Sequence, residues 1–241
     1  MERVSVLLPT KSRYEALIDS VISLSKTTNA KELIDLIIVT DDDSESYNAA
    51  QYAVGGVGYK FHNVTIVESK ERLYPIKAFN KALSFSENDY FCPMNDENTY
   101  EPNWLVRNLE LFNTHFPDKI GVLSLFKPKK AGLCLTTKSF VDYNYNEFFN
   151  EGYKLYYADD ELTARAILLG RYAWSDQPGV FHDSAITKAV SAISWSDKIK
   201  MKKIDRGLFY QRSETNFGLK DEEIYPWEGY RQVSLPLKRK M

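Results

Sequence analysis

Val4-Ser5-Val6-Leu7-Leu8 is apolar, partly β-branched, and stops at Pro9-Thr10, which reads as a buried strand whose carboxyl end runs into a loop. A helix is expected next, because Leu17, Val21, Ile22 and Leu24 recur at helical spacing after polar residues 10–14. Residues 33–39, Leu-Ile-Asp-Leu-Ile-Ile-Val, then supply a second buried strand. Such a β-α-β unit is almost always right-handed and parallel, and ligands of open parallel sheets sit outside the carboxyl ends of the strands. This unit restricts the chain to the α/β class and says where a site should be sought.

The alternation continues with a strand at 63–67, a helix carrying Ile76, Phe79, Ala82 and Leu83, and a strand at 90–94. A helix after Pro102 carries Leu105, Leu109 and Phe112, and a strand follows at 120–126. Past residue 130 the pattern is irregular, with no Pro/Gly/Ser-rich linker, repeat or low-complexity tract. The expectation is one α/β domain with a Rossmann-like, mostly parallel central sheet flanked by helices. Residues 1–126 carry this alternation, and residues 127–241 are its irregular elaboration with a C-terminal extension.

The 44% hydrophobic content is enough to bury a core, so extensive disorder is excluded, and a net charge of -2 provides no global pull toward nucleic acid or anionic lipid. No apolar run approaches the length of a membrane span. Cys92 and Cys134 form neither a metal-type pair nor a disulfide framework. These features predict a cytoplasmic protein without stable membrane insertion. There is no G-x-x-x-x-G-K-[ST] loop, and Gly55-Gly56-Val57-Gly58 lacks the spacing and context of a dinucleotide fingerprint.

The expected strand ends carry acids instead. Asp41-Asp42-Asp43 follows the second strand, where a carboxylate can accept from a base imide or ribose hydroxyls; taken alone, the triplet is an ordinary acidic turn. Asn95-Asp96-Glu97 follows the strand at 90–94 and offers closely spaced oxygens of the kind Mg²⁺ or Mn²⁺ takes, or equally an acidic turn before a helix. Asp159-Asp160-Glu161 opens a segment with Leu162, Ala166 and Leu169 at helical spacing up to Gly170. One of these acids is expected to cap the helix, and the excess over that need makes a general base a competing reading. His182 alone reads as a structural histidine.

The order of these four features resembles the GT-A glycosyltransferases of the family 2 type, from residue 4 to residue 182. Val6-Leu7-Leu8-Pro9-Thr10 looks like that family's first strand and nucleotide loop, and Ile37-Ile38-Val39-Thr40-Asp41-Asp42-Asp43-Ser44 like its acid-bearing second strand end. Asn80 matches the Asn of the helix before the metal motif. Residues 90–97, continuing to Pro102-Asn103-Trp104-Leu105, look like the stretch bearing the DxD-like motif, and Asp159-Asp160-Glu161-Leu162 through Gly170 to His182 like the catalytic helix and its distal histidine. The departures are Asn95-Asp96-Glu97 in place of a DxD, Ala158 in place of an acid, and Asp43 in place of glycine.

The resemblance implies metal-dependent, inverting transfer of one sugar from a nucleoside-diphosphate sugar, with UDP favoured, to an acceptor hydroxyl, with residues 1–126 as the half that binds nucleotide sugar and metal and residues 127–241 as the acceptor-binding half. It places Pro9, Thr10, Arg13, Asp41, Asp42, Asn80 and Asp96 at the nucleotide sugar, and Asp96, Glu97 and His182 at Mn²⁺ or Mg²⁺. Asp159 stands as the base, with Asp160 as its alternate. The processive Q-x-x-R-W signature is absent. The acceptor would be a saccharide, a lipid-linked saccharide or, as a minority reading, a modified nucleic-acid base. It would meet the aromatics Phe140, Tyr143, Tyr145, Phe148, Phe149, Tyr153, Tyr156 and Tyr157, with a basic rim from Lys127, Lys129 and Lys130, residues 198–203 and residues 238–240. The alternatives are a non-catalytic nucleotide-sugar-binding module and a sugar-phosphate nucleotidyltransferase.

Overall fold

The computed structural model describes residues 2–55, 61–126, 130–182 and 193–224. Strands β1 (Val4–Thr10), β2 (Ile34–Asp41), β3 (Asn63–Ser69), β4 (Tyr90–Pro93), β6 (Val122–Ser124), β7 (Cys134–Thr137) and β8 (Tyr172–Trp174) form one seven-stranded sheet of order β3-β2-β1-β4-β7-β6-β8. The β1–β2, β2–β3, β1–β4 and β6–β8 pairs are parallel, while β7 runs antiparallel between β4 and β6. β5 (Asn98–Tyr100) and β9 (Val180–His182) form a separate antiparallel pair.

Strand period explains the two cores. Val4, Val6 and Leu8 of β1 and Ile34, Leu36 and Ile38 of β2 face one hydrophobic cluster, while Leu7, Ile37 and Val39 face the other. Helices α1 (Tyr14–Thr27), α2 (Ser44–Gly55) and α4 (Trp104–His115) cover the first face through Leu17, Val21 and Leu24, Ala49, Ala50 and Ala53, and Leu105, Leu109 and Phe112. On the second face lie α3 (Tyr74–Ser84), with Ile76, Phe79 and Ala82, the short α5 (Lys138–Tyr143) and α6 (Ala158–Leu168). A long helix, α7 (Trp195–Ser213), closes that face with the fully buried Phe209.

The expected α/β alternation is present, and Gly170 ends the α6 segment in the left-handed conformation, φ 67°. Several elements escape the sequence reading. The apolar face of α2 is made of alanines, too weak a stripe to stand out, although Asp43 accepts from the Ser46 amide at its start. β7 is a short strand inserted between β4 and β6, and β8 a three-residue strand at the sheet edge. The segment at 120–126 narrows to three paired residues, Val122–Ser124. No acid caps α6: Tyr157 holds the cap position in a left-handed conformation without a side-chain capping bond, and the three acids occupy the first turn. Among the described residues no helix is long and apolar enough to cross a membrane.

Candidate functional site

A cavity of about 740 Å³ opens at the carboxyl ends of β1, β2 and β4. Pro9, Thr10 and Asp41 line it from the first two strand ends, Asn95, Asp96 and Glu97 from the turn after β4, and Asp159 and Asp160 from the first turn of α6. His182 reaches it because β5 pairs with β9 and sets His182 opposite Asn98, next to Glu97. Asn98 reinforces this turn by accepting from the Asn95 amide at 2.6 Å and donating to the Phe181 carbonyl at 3.3 Å.

At the centre of the acid turn is a cation supplied by the chain. Arg13 Nη1 lies 2.9 Å from Asp96 Oδ1 and also bonds Glu97, whose other oxygen is 3.1 Å from His182 Nε2. The Thr10 hydroxyl donates to Asp96 Oδ2 at 2.7 Å. Burial, with the neighbouring Glu97 charge adding to it, pushes the Asp96 carboxyl up to about 7 against the pull of Arg13. Two adjacent buried carboxylates call for a counter-cation, and the Arg13 guanidinium supplies positive charge to both. Among the described residues no three His, Cys, Asp or Glu side chains are grouped so as to hold a metal ion.

On the α6 side, burial and the nearby Asp160 charge push Asp159 up to about 6, while Lys130 and first-turn backbone amides pull it back. Lys130 Nζ is 2.6 Å from Asp160 Oδ1. Gly132 leaves room for Asp159: a Cβ there would stand 3.2 Å from its Oδ2. The Thr163 hydroxyl donates to the Asp159 carbonyl and accepts from the Ala131 amide, tying this loop to α6. Glu161 takes no part in the cavity; it is buried in an ion network with Arg165 and Arg212 and accepts from the Tyr153 hydroxyl at 2.6 Å.

The sequence profile of Glycosyl transferase family 2 matches residues 5–162. The chain belongs to glycosyl transferase family 2. Among solved structures, this family 2 chain is similar to a mannosyltransferase from Pyrobaculum calidifontis in complex with GDP-Man and Mn2+. There the TM-score is 0.62 at 14% identity over 73% of this chain, which spans only 55% of the mannosyltransferase. It is also similar to S. aureus TarS 1-349 in complex with UDP, with a TM-score of 0.58 and 13% identity over 95% of this chain and 74% of that one. These likenesses carry the fold. A search of curated proteins finds no match.

Not every residue expected at the family 2 site reaches the cavity. The Asn80 amide donates to the Phe149 carbonyl and to Glu151, bracing α3 against the 149–151 loop, and Asn80 does not line the cavity. Asp42 is exposed, with φ 51°, and is likewise absent from the lining. Asp41 lines it, yet its carboxylate accepts from the Leu73 and Tyr74 amides at the start of α3 and pairs with Arg72 at 2.9 Å. Asp43 accepts from the Ser12 amide and the Ser46 hydroxyl, bonds that hold its carboxyl below the usual range against burial.

Of the aromatic stretch, Phe149, Tyr156 and Tyr157 line the cavity, Phe140, Phe148 and Tyr153 are core, and Tyr143 and Tyr145 are exposed. Lys127, Lys129 and residues 238–240 lie outside the described residues. The sequence reading missed Lys11, Arg72 and Gly132; no local pattern marks them, since each earns its place by a partner distant in sequence.

Proposed function

We propose that the protein transfers a single sugar from a nucleoside-diphosphate sugar to an acceptor hydroxyl. One observation carries this reading: the acids after β4 and the acids of α6 line the same strand-end cavity. A leaving diphosphate and an attacking hydroxyl need those two functions on opposite sides of one carbon. The nucleotide sugars and UDP in the similar structures are ligands of those proteins, and they make a uridine or guanosine diphosphate sugar the first donor to test here.

In the reaction we assign, the acceptor oxygen bonds to the anomeric carbon as the bond to the diphosphate breaks, with inversion. Asp159 takes the hydroxyl proton, and a raised carboxyl is a better base for that task than an ordinary one. Asp160, held by Lys130, supports the site electrostatically and stands as the alternate base. Pro9, Thr10 and Arg13 face the donor, and Arg13 can turn its charge from the acids to the diphosphate.

Asp96, Glu97 and His182 would be the side chains to hold Mn²⁺ or Mg²⁺ once Arg13 leaves the two carboxylates, whose hard oxygens suit such an ion; with Arg13 between them they are not grouped around an ion position. When bound, such an ion neutralises the charge growing on the diphosphate. The test is a screen of UDP- and GDP-sugars with Mn²⁺ and a set of hydroxyl acceptors, read by released nucleoside diphosphate and by product mass. Sugar-nucleotide binding without release under every condition would instead establish a binding module, and release of pyrophosphate a nucleotidyltransferase.

A further inference from the structure

Six Lys and Arg side chains among the described residues line the cavity, and four of them are committed. Lys11 donates to the Asp41 and Asp42 carbonyls at 2.8 and 2.7 Å, Arg13 pairs with Asp96 and Glu97, Arg72 with Asp41, and Lys130 with Asp160. The remaining two, Lys198 and Lys202 of α7, form no ion pair with any described residue. The acids of α7 are otherwise engaged: Asp197 accepts from Ser194, and Asp205, fully buried, accepts from the backbone amides of Lys154, Leu155 and Tyr156. Lys202 Nζ stands 5.8 Å from the centre of the Tyr156 ring.

We infer that the acceptor carries a phosphate group and that Lys198 and Lys202 bind it, an assignment that rests on the glycosyl-transfer reading above. The placement of α7 decides between donor and acceptor. Asp205 hangs residues 154–156 on α7, and the chain then passes through Tyr157 directly into the first turn of α6, where Asp159 would meet the attacking hydroxyl. The strand-end side, where the donor diphosphate belongs, has Lys11, Arg13 and Arg72 of its own. Residues at i and i+4 on one helix are about 6 Å apart along its axis and share a face, so ammonium groups carried at both can bracket one phosphate from two sides. A net charge of -2 argues against a long polyanion, which needs a broad positive field, and favours a phosphorylated saccharide.

Calorimetry on the full chain with UDP and Mn²⁺ present tests this. Glucose 6-phosphate should bind roughly tenfold or more tighter than glucose, inorganic phosphate should compete with it, and the double variant Lys198→Gln/Lys202→Gln should erase the difference. The variant should keep the affinity for UDP, and Lys198→Arg/Lys202→Arg should retain the preference, which separates charge from folding. Equal binding of the two sugars overturns the proposal. So does a parallel loss of UDP affinity, which would hand both lysines to the donor, and so does a single-stranded oligonucleotide that outcompetes the sugar phosphate in a lysine-dependent way. If UDP fails to bind the wild type, the donor reading fails, and the sugar-phosphate comparison run without nucleotide still decides this one.

Discussion

Arg13 Nη1 lies 2.9 Å from Asp96 Oδ1, in the place between two acids where a divalent cation would compete with it. The guanidinium there neutralises charge on both acids. Arg13→Gln should bind Mn²⁺ without nucleotide roughly tenfold tighter than the wild type, read by the loss of free-ion electron paramagnetic resonance signal. Without metal the same variant should lose about 3 kcal/mol of stability, because one partner of a buried ion pair has gone, and Mn²⁺ should restore much of it. An unchanged Mn²⁺ affinity would remove Arg13 from this role.

Glu97 bridges Arg13 and His182, so its charge is central to the acid turn. Glu97→Gln should abolish any strengthening of UDP binding by Mn²⁺ while leaving the metal-free UDP affinity in place. Titration calorimetry with and without Mn²⁺ checks it; a metal effect that persists in both Glu97→Gln and Asp96→Asn would return these acids to a purely structural turn.

Asp159 must be ionised to accept a proton, and its carboxyl is raised to about 6. Turnover should rise with pH through about 6 and level off above it, and Asp159→Asn should lower the plateau by roughly 10²–10⁴-fold with donor binding intact. The stability effect has the opposite sense. The folded chain holds this proton more tightly than the unfolded one, so stability should fall as pH rises from the unfolded value near 3.8 to about 6 and be flat beyond. Denaturation of wild type and Asp159→Asn across that window should show a shallower slope in the variant; identical slopes would contradict the raised carboxyl.

Gly132 gives Asp159 its space. Gly132→Ala would set a methyl 3.2 Å from Oδ2, and displacement of the base by a few tenths of an ångström should lower kcat by roughly tenfold without changing UDP affinity. Steady-state kinetics beside UDP titration separates the two, and an unaltered kcat would show that the carboxylate does not need this clearance.

The elements that carry the site were legible because their signals are local. The β1 run up to Pro9, the helical spacing of Leu162 and Ala166, and acids after two apolar runs and at the head of that helix identify strands, a helix and the sheet edge to search. The assignment of Asn80 and Asp42 to the nucleotide comes from motif position alone; in the fold the Asn80 amide bonds the Phe149 carbonyl and Asp42 is exposed.

By itself the sequence determined the α/β alternation, the two-sided burial of β1 and β2, and the presence of acids where that sheet ends, since hydrophobic period and turn chemistry act over neighbouring residues. Only the tertiary structure decided which charges meet. The β5–β9 pairing brings His182 to Glu97, the β1 loop delivers Arg13 to both acids of the β4 turn, and Asp205 fastens α7 beside Asp159's wall of the cavity. A charged side chain satisfies itself with whatever opposite group the crossing chain brings within a few ångströms, and no spacing along the sequence encodes that distance.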